Sequence, residues 1–386
     1  METNSDNIIL VNNIIDDAIR QKASDIHIEP FKDELRIRFR IDGSLSLYKT
    51  YSMDLHSKIL ARIKVMSSLD IAEKRLAQDG RITYRYKDKD VDLRISIINT
   101  IYGQKCVIRV LNPDNFIVGM DKLGISDEEI DLISEYTKFE NGLILVCGPT
   151  GSGKTTSLYT MIIEENDIEK NIITIENPVE YNIYGINQIQ INEKIGMRFD
   201  NTLKYVLRQD PDIILLGEIR DSETAKLAMR SSITGHKVFS TLHTDDVYQS
   251  IIRLLDMGVE DYMIRASLKL VISQRLVKKL CPYCKEKVEV DKSYREIFDK
   301  YKIDPPYIYR PKGCEHCNNG YSGRMALMQI LKVDEDIRRE ITSTLDIERL
   351  EKIGKSKNIK SLFEKALFQV SLGNTSMKEA LRLLNE

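Results

Sequence analysis

The spacing of hydrophobic and polar residues changes along this chain, and each spacing predicts a different element. Near the N-terminus, apolar residues recur at helical intervals and predict an amphipathic helix over about residues 7–22: Ile8, Val11, Ile14, Ile15, Ala18 and Ile19. Residues 34–41 then alternate apolar and basic side chains, which is typical of a half-buried strand. Gly43 predicts a turn after it, and SLSLYKT the partner strand of a hairpin.

A second helix is predicted over residues 53–66, followed by a turn signal at Asp79–Gly80. The segments RITYRY, VDLRISI and KCVIRVL alternate again and predict three further strands. Residues 1–112 are therefore expected to form one small α+β domain.

A linker is predicted over residues 113–125, because Pro113 and two glycines interrupt the alternation. Beyond it, short apolar strands alternate with helical or loop sequence: LILVC, NIITI, IILLG and KVFSTL. This order is typical of a parallel sheet covered by helices, so residues 126–270 are expected to form an α/β core. From about residue 262 the chain reads as mostly helical, and residues 271–386 are expected to form a helical C-terminal region.

Composition limits the functional classes. The chain has 386 residues, 42% of them hydrophobic, which suffices for two or three compact units. Lys+Arg 57 against Asp+Glu 59 gives a net charge of −2, so direct nucleic-acid binding is not expected. Neither a long apolar run nor a basic leader is present, and we expect a cytoplasmic protein that reaches a membrane only through a partner.

A phosphate-binding loop lies in the stretch LILVCGPTGSGKTTSLYTMI, which fits G-x-x-x-x-G-K-[ST] between an apolar strand and a helix. In such loops successive backbone N–H groups converge on phosphate oxygens at a helix N-terminus. Lys154 is expected to reach the β and γ phosphates of ATP, and Thr155 to bind Mg²⁺. The predicted nucleotide-binding residues of this loop are Gly148, Pro149, Thr150, Gly151, Ser152, Gly153, Lys154, Thr155 and Thr156.

Carboxylates follow two of the predicted strands. IILLGEIRD ends in Gly217–Glu218 instead of the usual Asp, so Glu218 either organises the metal through water or merely ends a strand. Glu176 and Glu180 bracket Asn177–Pro178 after another strand, and Glu176 is expected to be a nucleotide-binding residue. Because carboxyl ends of parallel strands line the ligand crevice, one of these carboxylates could orient or deprotonate the attacking water.

Two histidines flank the strand KVFST. His236 precedes it and His243 follows it. They would suit a sensor of γ-phosphate occupancy, or they hold a loop through local hydrogen bonds.

Four cysteines form two C-x-x-C pairs, Cys281/Cys284 and Cys314/Cys317. In a reducing compartment this spacing indicates a closed, structural Zn²⁺ site within residues 281–317, with redox pairs or idle thiols as the alternative. His316 could replace a cysteine, and SYREIFDKY in the spacer predicts a helix. Cys106 and Cys147 fall in apolar strand patterns and are expected in the core.

These motifs together resemble one family, the type II secretion and type IV pilus assembly ATPases, a branch of the RecA-fold motors. GPTGSGKTT resembles the family's Walker A motif, TIENPVEY its Asp box, RQDPDIILLGEIRD its atypical Walker B motif and GHKVFSTLHTDD its His box. ASDIHIEP, RIRFRIDG, QDGRI and VDLRIS resemble the family's second N-terminal domain.

The resemblance implies an α/β chain with a PAS-like α+β N-terminal domain, a RecA-like P-loop NTPase domain and a helical part carrying a tetracysteine zinc element. It implies a homo-hexamer that hydrolyses ATP with Mg²⁺ and acts on an inner-membrane platform protein to assemble pilin or pseudopilin. Glu180 is then the general base, Glu218 the Walker B glutamate, and His236 and His243 lie near the γ-phosphate. Arginines reach the site from a neighbouring subunit: Arg81, Arg94 and, behind them, Arg109.

Two departures from the family pattern stand out. Asn177 replaces the usual Asp of the Asp box, and the chain begins directly at the second N-terminal domain. The tetracysteine element favours an assembly motor over a retraction motor, which lacks it. Three alternatives stay open, namely the motor of a DNA-uptake pseudopilus, a RecA-type DNA translocase and a structural ring that does not hydrolyse ATP.

Overall fold

A computed structural model of the chain describes residues 2–112 and 119–384, with side chains from residue 8 onward. The chain divides into two compact units, Met1–Phe116 and Ile117–Glu386. Part of the linker predicted at 113–125 lies outside the described residues. No helix of the described part is both long and apolar enough to cross a membrane.

The first unit is a six-stranded antiparallel sheet with two helices. Its helices are α1 (Glu2–Arg20) and α2 (His56–Met66), and its strands are β1 (Asp25–Pro30), β2 (Leu35–Ile41), β3 (Ser44–Tyr51), β4 (Gln78–Tyr86), β5 (Lys89–Thr100) and β6 (Gly103–Leu111). The strand order is β3-β2-β1-β6-β5-β4. The alternating pattern of β2 puts its apolar side chains on one face of the sheet. Leu35, Ile37 and Phe39 are buried there in one core with the apolar stripe of α1.

Two features of this unit differ from the sequence prediction. Strand β1 was not predicted, although it lies at the centre of the sheet between β2 and β6. Asp79 and Gly80 form no turn, because both pair with β5 inside strand β4. Side chains of Ser67 and Leu69 pack where a Cβ of Gly80 would stand, so close packing explains the glycine.

The second unit is built on a seven-stranded sheet. Its strands are β7 (Gly142–Cys147), β8 (Ile172–Glu176), β9 (Asn187–Gln190), β10 (Ile213–Leu216), β11 (Lys237–Leu242), β12 (Leu268–Leu280) and β15 (Tyr321–Lys332), in the order β15-β12-β7-β11-β10-β8-β9. All neighbours pair in parallel except β12 and β15. The predicted strands β7, β8, β10 and β11 are buried along their whole length, as parallel strands covered on both faces are.

Eleven helices and one small hairpin complete the described part of this unit. The helices are α3 (Asp127–Thr137), α4 (Lys154–Glu164), α5 (Phe199–Val206), α6 (Ser222–Ile233), α7 (Val247–Asp256), α8 (Asp261–Ser267), α9 (Lys292–Lys300), α10 (Glu335–Glu340), α11 (Ile347–Ser356), α12 (Leu362–Ser371) and α13 (Met377–Arg382). The hairpin consists of β13 (Glu286–Val288) and β14 (Ile308–Arg310). Helix α9 confirms the helix predicted in the cysteine spacer.

The C-terminal region contains two long strands as well as the predicted helices. β12 has 13 residues and β15 has 12. β12 runs across the predicted boundary at residue 270 and pairs with β7. Most of its residues are buried, so its sequence shows no clean alternation of apolar and polar residues. Without that period-two signal, the sequence pattern does not distinguish this strand from a helix.

Candidate functional site

The phosphate loop leaves the carboxyl end of β7 and enters α4. Gly148, Gly151 and Gly153 adopt positive φ angles of 142°, 81° and 89°, which a residue with a side chain rarely adopts. A Cβ on Gly148 would lie 2.5 Å from the carbonyl oxygen of Gln274. The loop therefore depends on glycine both for its backbone angles and for its close approach to β12.

Two polar groups of this loop fit a phosphate ligand. The Lys154 ammonium donates hydrogen bonds to the carbonyls of Gly148 at 2.6 Å and Pro149 at 3.0 Å. Burial lowers the pKa of Lys154, while the nearby Glu218 carboxylate opposes that shift. The Ser152 hydroxyl is buried without a hydrogen-bond partner among the described residues. A buried cation and an unsatisfied hydroxyl in a glycine loop are what bound phosphate oxygens would satisfy.

Glu218 follows β10 and contacts one residue of its own loop and one residue that follows β11. Its carboxylate lies 2.5 Å from Arg220 Nη2 and 3.5 Å from His243 Nε2. The Glu218 side chain is 14% exposed, so the protein does not enclose it completely. Glu218 and the partly exposed Thr155 on the first turn of α4 are the residues that would hold Mg²⁺.

Glu176 is buried, with only 4% of its surface exposed. Its carboxylate accepts hydrogen bonds from Tyr159, from Thr174 at 2.6 Å and from Gln188 at 3.4 Å. Burial raises its pKa, and these three bonds oppose the shift. These contacts hold the Glu176 carboxylate inside the framework of the site, and its predicted contact with the nucleotide stays a prediction.

Glu180 is linked to this framework through its backbone. The Tyr159 hydroxyl, which donates to Glu176, also accepts a hydrogen bond from the backbone of Glu180. Tyr159 lies on α4, directly after the phosphate loop, so one side chain joins the loop helix to the segment that carries Glu180. The bond between Asn177 and Pro178 in that segment is cis.

The two histidines lie at opposite ends of β11. His243 follows the carboxyl end of the strand, where the phosphate loop begins, since Leu242 pairs with Cys147. His236 precedes Lys237, which pairs with Gly142 at the other end. Six strand residues separate the histidines by roughly 20 Å. His236 instead contacts the carbonyl of Ser231 at 3.0 Å, so the expectation that both lie near one γ-phosphate is wrong within this chain.

The four cysteines of the C-x-x-C pairs come together as one cluster. Their sulfur atoms all lie within 4.8 Å of one another. The distances are 3.8 Å for Cys281–Cys314 and 3.7 Å for both Cys284–Cys317 and Cys314–Cys317. Four ligands about 2.3 Å from a tetrahedral Zn²⁺ would be ~3.8 Å apart, so the cluster matches a four-sulfur site. His316 is outside it and packs on Tyr283 with 5.0 Å between ring centres.

Comparison with known proteins places these sites in one family. Residues 2–382 match the family model described as Type II/IV secretion system protein. The chain is 43% identical to the type II secretion system ATPase E of Vibrio cholerae over 380 residues, 98% of this chain and 75% of that protein. It is 40% identical to the type IV pilus assembly ATPase PilB of Acinetobacter baylyi, over 97% of this chain and 66% of that protein.

The chain belongs to the type II/IV secretion system protein family. The family resemblance and the ATPase class predicted from the motifs are thereby confirmed. Solved structures agree on the fold. The Legionella pneumophila ATPase DotB aligns with a TM-score of 0.73 at 19% identity, over 98% of this chain and 95% of that one. The pilus retraction motor PilT with bound ADP aligns with a TM-score of 0.65 at 25% identity, over 96% and 95%.

Three arginines form a row on the sheet of the first unit. Arg81 pairs with Arg94 between β4 and β5, and Arg94 pairs with Arg109 between β5 and β6. Directly opposed residues of antiparallel strands project to the same face. Asp25 on β1 continues the row, with 3.5 Å between its Oδ1 and Arg109 Nε.

Sequence reasoning missed two residues that hold the phosphate site together, Tyr159 and Gln274. Tyr159 was read only as part of a helix. Gln274 lies in the buried strand β12 and contacts the phosphate loop 122 positions earlier in the chain. The available signal was the polar triplet Ser273, Gln274 and Arg275 between apolar segments, because a buried carboxamide needs hydrogen-bond partners.

Proposed function

We propose that this chain is the subunit of a homo-hexameric motor that hydrolyses ATP in the cytoplasm and drives pilin or pseudopilin assembly. It would act through an inner-membrane platform protein and reach the membrane only by that contact. The observation that carries the proposal is the convergence of Lys154, Glu218 and His243 at the carboxyl ends of neighbouring strands. Relatives at 40–43% identity are named type II secretion and type IV pilus assembly ATPases, which supports the choice of cargo.

The reaction proposed for this site is attack of water on the γ-phosphate of ATP. Lys154 would exchange its two loop carbonyls for β and γ phosphate oxygens, and Glu180 would accept the proton of the attacking water. Bound Mg²⁺, held by Thr155 and through water by Glu218, would neutralise phosphate charge. His243 would keep Glu218 oriented. Glu176 would act through Tyr159 and not by touching the nucleotide.

We further propose that Arg81, Arg94 and Arg109 complete the site of a neighbouring subunit. Like charges placed opposite each other across strands destabilise a sheet. The row of three arginines nonetheless gathers positive charge on one face of the sheet, beside the Asp25 carboxylate that Arg109 contacts, and such a face suits the phosphate groups of a nucleotide held by a neighbouring subunit. Arginines supplied in this way can raise a phosphoryl-transfer rate by ~10³ to 10⁵.

We also propose that Cys281, Cys284, Cys314 and Cys317 hold a structural Zn²⁺. The sulfur distances support this, as do two backbone N–H groups that donate to sulfur, from Gly313 to Cys284 at 3.3 Å and from Cys314 to Cys317 at 3.2 Å. Such bonds stabilise the thiolate form that binds metal. Four sulfur ligands leave no open position, so no catalytic role is assigned to this metal.

The decisive experiment is phosphate release per subunit by the zinc-loaded protein over a wide range of protein concentration. We expect specific activity to rise with concentration and to be lost in both Arg94→Ala and Glu218→Gln. Mixing these two inactive variants should restore part of the activity, because some interfaces then combine an intact Arg94 with an intact Glu218. Arg36→Ala is the matched control, since Arg36 pairs with Glu34 on the same sheet but outside the row.

Other results of this experiment would contradict the shared site or favour a different function. Activity that does not depend on concentration, or that survives loss of Arg94, would contradict the shared site. Binding of ATP without hydrolysis at any concentration would favour a structural ring. Strong stimulation by DNA would favour the translocase, and genomic neighbours separate a DNA-uptake pseudopilus from a secretion system.

A further inference from the structure

Gln274 is the middle residue of a short buried polar segment, residues 273–275, in the largely apolar strand β12. Only 1% of the Gln274 surface is exposed, and its two neighbours, Ser273 and Arg275, are also polar and buried. β12 lies beside β7, the strand that delivers the phosphate loop. The segment around Gln274 therefore lies at the same sheet edge as the loop, although it comes from a distant part of the chain.

The carboxamide of Gln274 joins the two parts of the phosphate cradle. Its Nε2 donates a hydrogen bond to the backbone carbonyl of Ser152 at 2.9 Å, within the loop. Its Oε1 accepts a hydrogen bond from the Ser157 hydroxyl at 2.7 Å, in the first turns of α4. Both bonds are buried, so water does not compete for them and each fixes its partner firmly.

The bond to Ser152 has a direct consequence for the next amide. In a trans peptide the carbonyl and the following N–H point in opposite directions. Holding the Ser152 carbonyl against Gln274 therefore turns the Gly153 N–H away from β12. Gly153 is the N-cap residue of α4, at the helix end where free N–H groups bind phosphate. A Cβ on Gly153 would lie only 2.8 Å from Gln274 Nε2, which shows how closely the carboxamide packs on this peptide.

The neighbours of Gln274 hold the second loop of the site. The Ser273 hydroxyl donates to the carbonyl of Asp245 at 2.8 Å, and Arg275 Nη2 lies 3.1 Å from the Asp245 carboxylate. Asp245 follows His243 by two residues. One short segment of β12 thus supports the phosphate loop on one side and the end of the His box on the other.

We propose that Gln274 is a positioning residue for nucleotide binding. Its carboxamide fixes the peptide between Ser152 and Gly153 and ties it to Ser157, so that the cradle has its binding shape before nucleotide arrives. A preformed cradle avoids the cost of ordering the loop on binding, which otherwise reduces affinity. This inference rests on the proposed ATPase function of the same site.

The test compares MgADP affinity, by isothermal titration calorimetry, in the full chain and four variants. Gln274→Met keeps size but removes both hydrogen bonds, and Gln274→Glu keeps the acceptor for Ser157 but loses the donor to Ser152. Ser157→Ala removes only the hydrogen bond between Gln274 and α4. Gln329→Met is the matched control, because Gln329 is a buried glutamine of the adjacent strand β15 and pairs with Ser273.

We expect the dissociation constant for MgADP to rise about 10- to 100-fold in Gln274→Met and about 2- to 10-fold in Ser157→Ala. Gln274→Glu should bind as weakly as Gln274→Met, because a carboxylate cannot donate to the Ser152 carbonyl. Gln329→Met should bind MgADP as tightly as the unmodified chain does, even if its thermal midpoint falls as much as that of Gln274→Met. KM for ATP should rise more than kcat falls, as expected when ground-state binding is lost.

Two results would overturn the inference. One is MgADP binding within about twofold of the unmodified chain in folded Gln274→Met or Gln274→Glu. The other is unchanged affinity in Ser157→Ala, which remains decisive if the Gln274 variants do not fold. Failure of the unmodified chain to bind MgADP would instead contradict the proposed function, so the two failures are distinguishable.

Discussion

His243 and Glu218 meet at the carboxyl ends of two neighbouring strands, with 3.5 Å between His243 Nε2 and Glu218 Oε2. The strands β10 and β11 pair in parallel, which places the residues after them at one edge of the sheet. The other carboxylate oxygen contacts Arg220. The carboxylate of the Walker B segment is thus held from two sides, and only one of the two histidines takes part.

This arrangement predicts unequal roles for the two histidines. His243→Asn should lower kcat for ATP hydrolysis about 10-fold or more, because Glu218 loses a partner that orients it. His236→Asn should leave kcat within about twofold, since His236 lies at the far end of β11 and bonds to Ser231. Phosphate release at saturating ATP measures both. Equal losses in the two variants would show that His236 also acts at the site.

Tyr159→Phe should impair both stability and turnover. The substitution removes only the hydroxyl, leaving the buried Glu176 carboxylate without one of its donors and the Glu180 backbone without its acceptor. We expect a loss of about 1–3 kcal/mol in the free energy of unfolding and a roughly 10-fold lower kcat. Denaturant unfolding and phosphate release test this, with Tyr205→Phe as the exposed control. A stable variant with full kcat would contradict the positioning of Glu180 by this hydroxyl.

The tetracysteine cluster should contain about one Zn²⁺ per chain. Cys281→Ser should lose the metal and lower the thermal midpoint, because metal binding contributes folding free energy to the segment that carries the ligands. Cys106→Ala is the control, because Cys106 is buried in the other unit. The zinc content of this variant should equal that of the unmodified chain. Metal analysis of the purified proteins decides the point. Full zinc content in Cys281→Ser, or none in the unmodified chain, would refute the assignment.

Glu29 should make the first unit sensitive to acid. Burial alone would raise the pKa of Glu29, but hydrogen bonds from Arg38 and Lys105 outweigh it and lower the pKa to about 2. Arg38 Nε lies 2.7 Å and Lys105 Nζ 2.9 Å from the carboxylate. Because the folded pKa lies below the ordinary value, this stabilisation is complete above about pH 4.5 and is lost as the pH falls toward 2.

The comparison of Glu29→Gln with the unmodified chain tests this dependence. At neutral pH the variant should be less stable by about 1–2 kcal/mol, since its partners are partly exposed. The difference in thermal midpoint should shrink between about pH 5 and about pH 2. Glu34→Gln, in an exposed pair with Arg36, should show little difference at any pH. A gap that stays constant across this range would contradict the assignment.

Much of the candidate site could be predicted because its signals are local. The phosphate loop needs glycine at positions 148, 151 and 153 and a lysine at the start of α4, and these requirements lie within eight consecutive residues. The strands β7, β8, β10 and β11 are short apolar runs with clear ends, so the pattern alone locates these four strands of the sheet. The two C-x-x-C pairs likewise predict one shared metal site from local spacing.

Tertiary structure decided what depends on register and strand order. The sequence by itself predicted a glycine-rich phosphate loop, carboxylates at the ends of strands and a site shared by four cysteines. Only the fold placed Gln274 against Ser152, put His236 far from His243 and aligned Arg81, Arg94 and Arg109 in one row. The physical reason is range: backbone angles and periodicity are set by neighbours in the chain, whereas these contacts join distant segments through the pairing of whole strands.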